Sequence, residues 1–381
     1  MEFGVFIQTY VPAFRRDKDP DAEHKALMED IELVEAADKA GFKYVWVTEH
    51  HFLDEYSHLS ANDVVLGYLA HSTQRIHLGS GIFNPLPQVN HPAKVAERVA
   101  MLDHLSDGRH EFGTGRGAGS HEILGFLHHD GITDTSQTRE IWEDVIGEFA
   151  KMWMQDEYEG YEGKYWSLPP RKILPKPLHK PHPAMWYAAG NVTSYAMAAR
   201  RGLGVLGFSV GSFDDLGPVV EAYKSEIPNA EPVGAYVNDN IMVANAAYVG
   251  DTEREAYDMV LRSDSGYHRS NVFRYHDTFP HPPEIPYWPE LIPEMTEEMI
   301  PLAIQGGVIV GDPEHAIEQC QRWESLGADQ LVIGGGYMDH QDELKTIRLM
   351  GEHVIPKLDK DPVHRTTRQR EAAALALGLK P

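Results

Sequence analysis

A closed (β/α)8 TIM barrel is the fold class this sequence predicts. Eight short runs of strand character recur along the 381 residues, and each is followed by a segment that can form a helix. No shift in composition divides the series. Chemistry-bearing side chains stand where several of the runs end, the edge at which parallel α/β proteins carry their functional groups. A doubly wound open sheet is the alternative, but eight units in one unbroken series favour closure.

The first strand is Phe3-Gly4-Val5-Phe6-Ile7. A loop over residues 8–20 leads to a helix expected over 21–39, with Leu27, Ile31, Val34 and Ala37 on one stripe. Ala40-Gly41-Phe42 stops it, glycine being the common helix terminator. Tyr44-Val45-Trp46-Val47-Thr48 follows as a continuous β-branched and aromatic run, as a parallel strand buried on both faces requires. It runs straight into Glu49-His50-His51. A helix carrying Val64, Val65, Tyr68 and Leu69 comes next, and then Ile76-His77-Leu78-Gly79-Ser80-Gly81-Ile82 as strand three. A helix over 92–105 and the turn Ser106-Asp107-Gly108-Arg109 precede strand four, 110–115.

After a helix over 138–154, residues 157–183 are polar, aromatic and proline-rich and read as a surface insertion. Strands five, six and seven are expected at 184–188, 204–209 and 240–249, with helices from Thr193 and Thr252. Strand eight is 330–335, and a helix over 342–357 closes the series. Residues 265–301 hold many His, Pro and aromatic residues with little periodicity, which predicts a long loop acting as a lid. The expected organisation is one barrel domain over 1–360 with these two insertions. An alanine- and charge-rich tail, 361–381, follows as a peripheral helix or a frayed end.

The formal net charge of −24 argues against nucleic acid or an anionic membrane surface as a partner. No basic leader precedes the first strand, and no apolar stretch is long enough to span a bilayer. Cys320 is the single cysteine, so neither an intramolecular disulfide nor a cysteine-rich metal site can form. The expected location is cytoplasmic.

Two stretches invite a phosphate. Phe112-Gly113-Thr114-Gly115-Arg116-Gly117-Ala118-Gly119 lets the backbone approach a ligand closely, and Arg116 adds a fixed charge with fork geometry. A glycine-rich turn whose arginine pairs with a nearby carboxylate is the plainer reading, since the run lacks Walker or dinucleotide spacing. Gly190-Asn191-Val192-Thr193-Ser194 passes from a strand end into a helix, whose free N–H groups and dipole favour an anion. Taken alone, ordinary helix capping by Asn191 or Thr193 is the favoured reading. Together the two could clamp one phosphate from both sides.

With these motifs the chain resembles the bacterial luciferase-like flavin monooxygenase family. Phe3-Gly4-Val5-Phe6, Glu49-His50-His51-Phe52, Gly115-Arg116-Gly117, Gly190 to Ser194 with Ala198-Ala199, and Val310-Gly311-Asp312-Pro313-Glu314 all match in order and spacing. The resemblance implies a barrel that binds reduced FMN and reacts it with dioxygen, so that a flavin peroxide attacks a small apolar organic substrate. It implies a separate flavin reductase and a homodimer built on the early helices, residues 64–69 and 95–105. Arg116, Asn191 and Ser194 match the family's phosphate contacts, with Gly115, Ala118 and Gly190 beside them, and His50 matches the histidine that acts beside the flavin ring. Ser80-Gly81-Ile82 matches the place of a non-proline cis peptide. Gly115 stands where the luciferases carry a reactive cysteine, so light emission is not expected.

Histidine holds or donates a proton near neutral pH, which suits His50 to acid–base work. Glu49 is expected to orient it, or else to form an ion pair under the loop, and His51 reads as structural. Tyr10, Phe83, Trp186 and Phe208 lie near strand ends as pocket or core residues. The alternative function in the same barrel is deazaflavin-dependent hydride transfer. A metal-dependent hydrolase would need ligands at the end of strand one, where Phe6-Ile7-Gln8-Thr9 offers no His-x-His. A flavin store without catalysis is the remaining reading, against which His50 and the long lid count.

Overall fold

A computed structural model describes residues 1–208, 212–277 and 281–381. Eight parallel strands close into a barrel in sequential order: β1 (Glu2–Ile7), β2 (Tyr44–Val47), β3 (His77–Ser80), β4 (His110–Thr114), β5 (Met185–Ala188), β6 (Gly204–Gly207), β7 (Ile241–Asn245) and β8 (Gln330–Gly334). Closure is made by β1 against β8, with Glu2 opposite Gln330 and Phe6 opposite Gly334. All eight strands coincide with the runs expected from sequence. Ser209, the expected last residue of strand six, lies outside the described residues.

The period of two along each strand sorts its side chains between two cores. Tyr44, Trp46, Trp186, Leu206, Met242 and Val332 pack together inside the barrel. Their neighbours Val45, Val47, Val205, Val243 and Ile333 face the helices. Gly79 makes room for the largest inner ring, because a Cβ there would lie 2.3 Å from the Trp46 indole. Burying each such ring contributes about 1.5–3 kcal/mol. The polar tips of the inner rings are satisfied at the strands' amino ends. Trp46 Nε1 donates to Gln330 at 2.6 Å and Trp186 Nε1 to Glu111 at 2.7 Å.

Helix boundaries follow their local signals. Gly41 sits at φ +93 after the helix Ala22–Ala40. Asp312 accepts from the N–H groups of Glu314 and His315 at the start of Pro313–Ser325. The C-terminal segment forms the helix Arg365–Ala376, which covers the amino end of the barrel. Its Thr366 donates to Glu111 at 2.6 Å, and its Arg370 forks onto the buried Asp103 at 2.8 and 3.0 Å. No described helix is long and apolar enough to cross a membrane.

Two expectations change. The run read as one strand over 240–249 is two: Ala247–Val249 leaves the barrel and pairs in parallel with Ile309–Gly311. The segment 265–301 is not all loop, because Ser265–Tyr275 forms a helix over the barrel's carboxyl end. Residues 278–280 of that segment lie outside the described residues.

Candidate active site

The carboxyl ends of the strands surround a cavity of about 520 Å³, to which Thr48, Gly81, Ala188, Phe208, Ala244 and Gly334 each bring a wall from a different strand. Eight of the ten residues singled out from sequence line it: His50, Glu49, Gly81, Arg116, Ala118, Gly190, Asn191 and Ser194. Ser80 and Gly115 do not. Ser80 is fully buried and ties β3 to β4, its hydroxyl donating to the carbonyl of Gly113 at 2.9 Å and accepting from its N–H at 3.0 Å. Gly115 stands behind Ile82, whose Cδ1 would lie 2.8 Å from any added Cβ. The peptide Gly81–Ile82 is cis. Of the four aromatic residues near strand ends, Phe208 lines the cavity, whereas Tyr10, Phe83 and Trp186 are core.

His50 is buried, and its carboxylate partner is Glu122 from the helix Ser120–Leu127, with Nδ1 and Oε2 3.0 Å apart. A carboxylate only accepts, so Nδ1 carries the hydrogen, and Nε2 is the nitrogen left for proton exchange. Glu49 does not orient His50. Its carboxylate turns to His51 at 3.3 Å. Burial opposes protonation of His51, but the bond to Glu49 and its charge raise the pKa overall.

Around His50 the rings close up. His276 lies 5.2 Å away centroid to centroid and Tyr56 5.7 Å, and Tyr56 leads on to His268 at 5.2 Å. Burial holds His276 neutral by pushing its pKa well below the usual value, and the neighbouring imidazoles of His50 and His268 act in the same direction.

The end of the cavity lined by Arg116 and Asn191 is basic. Arg116 donates from Nε to the Tyr187 hydroxyl at 3.2 Å and from Nη1 to Thr135 O and Thr138 Oγ1 at 3.2 and 3.0 Å. These bonds fix the guanidinium beside the start of the helix Val192–Arg200. There Asn191 Oδ1 accepts from Ser194 N–H at 3.0 Å and Ser194 Oγ accepts from Asn191 N–H at 3.0 Å, a reciprocal cap. The capping reading and the cavity-lining reading of these two residues therefore both hold. Arg139, which sequence reasoning missed, brings a second guanidinium to the same end. Two cations and a helix amino terminus form a fitting cradle for a phosphate dianion. Among the described residues no His, Cys, Asp and Glu cluster could hold a metal ion.

Sequence reasoning also missed Glu122, His268, Arg269 and His276. A visible signal for Glu122 was a single acid among Ile123, Leu124, Phe126 and Leu127 just past the glycine run. The others fell in the stretch taken for loop.

The profile of the luciferase-like monooxygenase family matches residues 1–330. The chain is 26% identical over 376 residues to the oxygenase component of a flavin-dependent trigonelline monooxygenase from Acinetobacter baylyi, covering 96% of this chain and 98% of that one. The fold matches the FMN complex of the oxygenating constituent of 3,6-diketocamphane monooxygenase from Pseudomonas putida with a TM-score of 0.73, at 19% identity over 94% and 99% of the two chains. It also matches the coenzyme F420-dependent tetrahydromethanopterin reductase of Methanopyrus kandleri, with a TM-score of 0.61 at 18% identity over 94% and 99%.

Proposed function

Because the chain belongs to the luciferase-like monooxygenase family, and is with it a flavin-dependent monooxygenase, we propose that it takes reduced FMN and dioxygen as co-substrates and oxygenates a small organic compound with an apolar body. The bound flavin would supply the electrons and activate dioxygen. The single observation that carries the reading is that one cavity is lined both by two guanidiniums beside a helix amino terminus and by the buried His50–Glu122 pair.

Arg116 and Arg139 would hold the phosphate, aided by the amino terminus at Asn191. His50 would hold or pass a proton at Nε2 while Glu122 keeps Nδ1 occupied. Tyr56, His276 and the walls at Ile82 and Phe208 would keep water from the reacting centre. The relative from Acinetobacter baylyi is named an oxygenase component, which supports delivery of the reduced flavin by a separate reductase. The assembly we propose is a homodimer. Val64, Tyr68, Met101 and Leu105 stand 69, 52, 49 and 56% exposed on two adjacent helices, an apolar face with i, i+4 spacing on each.

Anaerobic titration with FMNH2, oxidised FMN and a deazaflavin tests the cofactor, and transfer of one labelled atom from dioxygen to product tests the chemistry. Preference for the deazaflavin would replace this reading by hydride transfer. In the same assay Arg116→Ala is expected to weaken FMN about ten- to a hundredfold, the cost of one charge-assisted contact. Riboflavin, which lacks the phosphate, should bind the variant as it binds the parent protein.

A further inference from the structure

The helix Ser265–Tyr275 meets the cavity through Ser265, His268, Arg269 and Val272, spaced three, one and three residues apart. That spacing puts all four on one face. Arg269 is the cation of this face. Its neighbour Arg274, on another face, packs over the rings of Tyr275 and Trp288.

Among the described residues Arg269 has no hydrogen bond or ion pair, although its surface is open to the cavity. The surrounding protein lowers its pKa by desolvation. Glu284 is the carboxylate whose charge reaches Arg269, though without an ion pair, and four other acids near this helix are engaged elsewhere. Asp264 pairs with Arg15 at 3.0 Å, Glu294 accepts from the N–H groups of Gly266 and Tyr267, Glu55 accepts from Tyr267, and Asp342 binds Arg262. An exposed guanidinium that lines the cavity without a hydrogen bond or ion pair of its own is placed to receive an anion that enters it.

His268, the adjacent residue on the same face, also lines the cavity. The Gln8 amide nitrogen donates to Gly335 O at 2.6 Å, which fixes the orientation of the amide, and the same nitrogen meets His268 Nε2 at 2.7 Å. His268 Nε2 must therefore accept, and its hydrogen resides on Nδ1. Burial, with Arg15 and Arg269 nearby, pushes its pKa down to about 3, so the ring is neutral. Ala246, Met295, Ala303 and Val308 wall the same part of the cavity with apolar surface.

We propose that Arg269, assisted by His268 Nδ1–H, is the recognition site for the carboxylate of the substrate, which is a small organic acid with an apolar body. This rests on the flavin monooxygenase reading and narrows its substrate class. An amide of the same shape would leave the guanidinium without its counter-charge, so discrimination should be large.

The test is calorimetric titration of the FMN-loaded protein with aromatic and alicyclic monocarboxylates, benzoate and cyclohexanecarboxylate among them, each paired with its primary amide. At least one acid is expected to bind ten- to a hundredfold more tightly than its amide. Arg269→Gln should abolish the preference, Arg269→Lys should keep part of it, and Arg274→Gln should leave it intact. FMN affinity should be the same in all variants. Equal binding of every acid and amide pair, a preference that survives Arg269→Gln, or a loss of FMN affinity in that variant would each overturn the assignment. If FMN itself does not bind, the function proposed above fails, and the same titrations on the flavin-free protein still decide the role of Arg269.

Discussion

Glu122 and His50 are 72 residues apart in the chain and 3.0 Å apart in the fold. The pair places a negative charge where only one imidazole tautomer can use it. Glu122→Gln removes that constraint, since an amide can donate as well as accept. Oxygenation by this variant is expected to fall about ten- to a hundredfold, as for other losses of an orienting partner, with FMN affinity and melting temperature nearly unchanged. Glu122→Asp should recover part of the rate. If FMN affinity falls with the rate, Glu122 serves the cofactor and not His50. His110 shows the opposite use of burial. It is buried, and desolvation, partly offset by a backbone contact to Leu78, pulls its pKa from 6.5 to about 4. Above pH 6.5 the ring is neutral in both the folded and the unfolded chain and the term vanishes. As pH falls below 6.5 the unfolded chain takes up a proton that the folded one refuses, so stability is lost down to about pH 4. That interval corresponds to about 3 kcal/mol. Urea unfolding at successive pH values should show His110→Phe losing less stability than the parent protein by about that amount. Parallel curves would show that His110 titrates normally.

At the scale of elements, the helix Arg365–Ala376 is held by a charge pair that water barely reaches, since Asp103 is 0% and Arg370 6% exposed. Removing one member leaves the other buried and uncompensated, so Arg370→Leu is expected to cost about 3–5 kcal/mol in urea unfolding. The double variant with Asp103→Leu should be closer to the parent than either single one, and additive losses would show that the pair is not coupled. All eight barrel strands were legible in the sequence because a strand buried on both faces is a continuous apolar run, as Tyr44 to Thr48 is. The helix Ser265–Tyr275 was not, and the reason is physical. Helices are read from an apolar stripe, whereas this one turns Ser265, His268 and Arg269 toward a cavity instead of a core. The candidate site divides in the same way. His50, Arg116 and Asn191 sit in local motifs at strand ends, but Glu122, Arg139 and Arg269 reach the cavity only through tertiary packing.

At the scale of the molecule, the helices Asn62–Ser72 and Pro92–Leu105 lie side by side, joined by the Asp63–Arg98 ion pair at 3.2 Å. Their outward apolar residues are the surface on which we expect a second copy. Light scattering on the eluted protein should give twice the mass of one chain. Val64→Glu with Tyr68→Glu should halve it without unfolding the barrel, because both side chains are more than half exposed. A monomer in the parent protein would remove the dimer proposal and leave the site untouched.

The closure of the barrel also sets a timetable for synthesis. Glu2 on β1 has its partner at Gln330, and the helix that covers the amino end begins only at Arg365. At 5–20 residues per second, translation leaves the first strand without its second neighbour for roughly 15 s to a minute. During that interval β1 is an open edge, able to pair with any extended segment on a crowded polysome. The order in which this chain leaves the ribosome therefore keeps one edge of β1 unpaired until the strand at Gln330 has emerged.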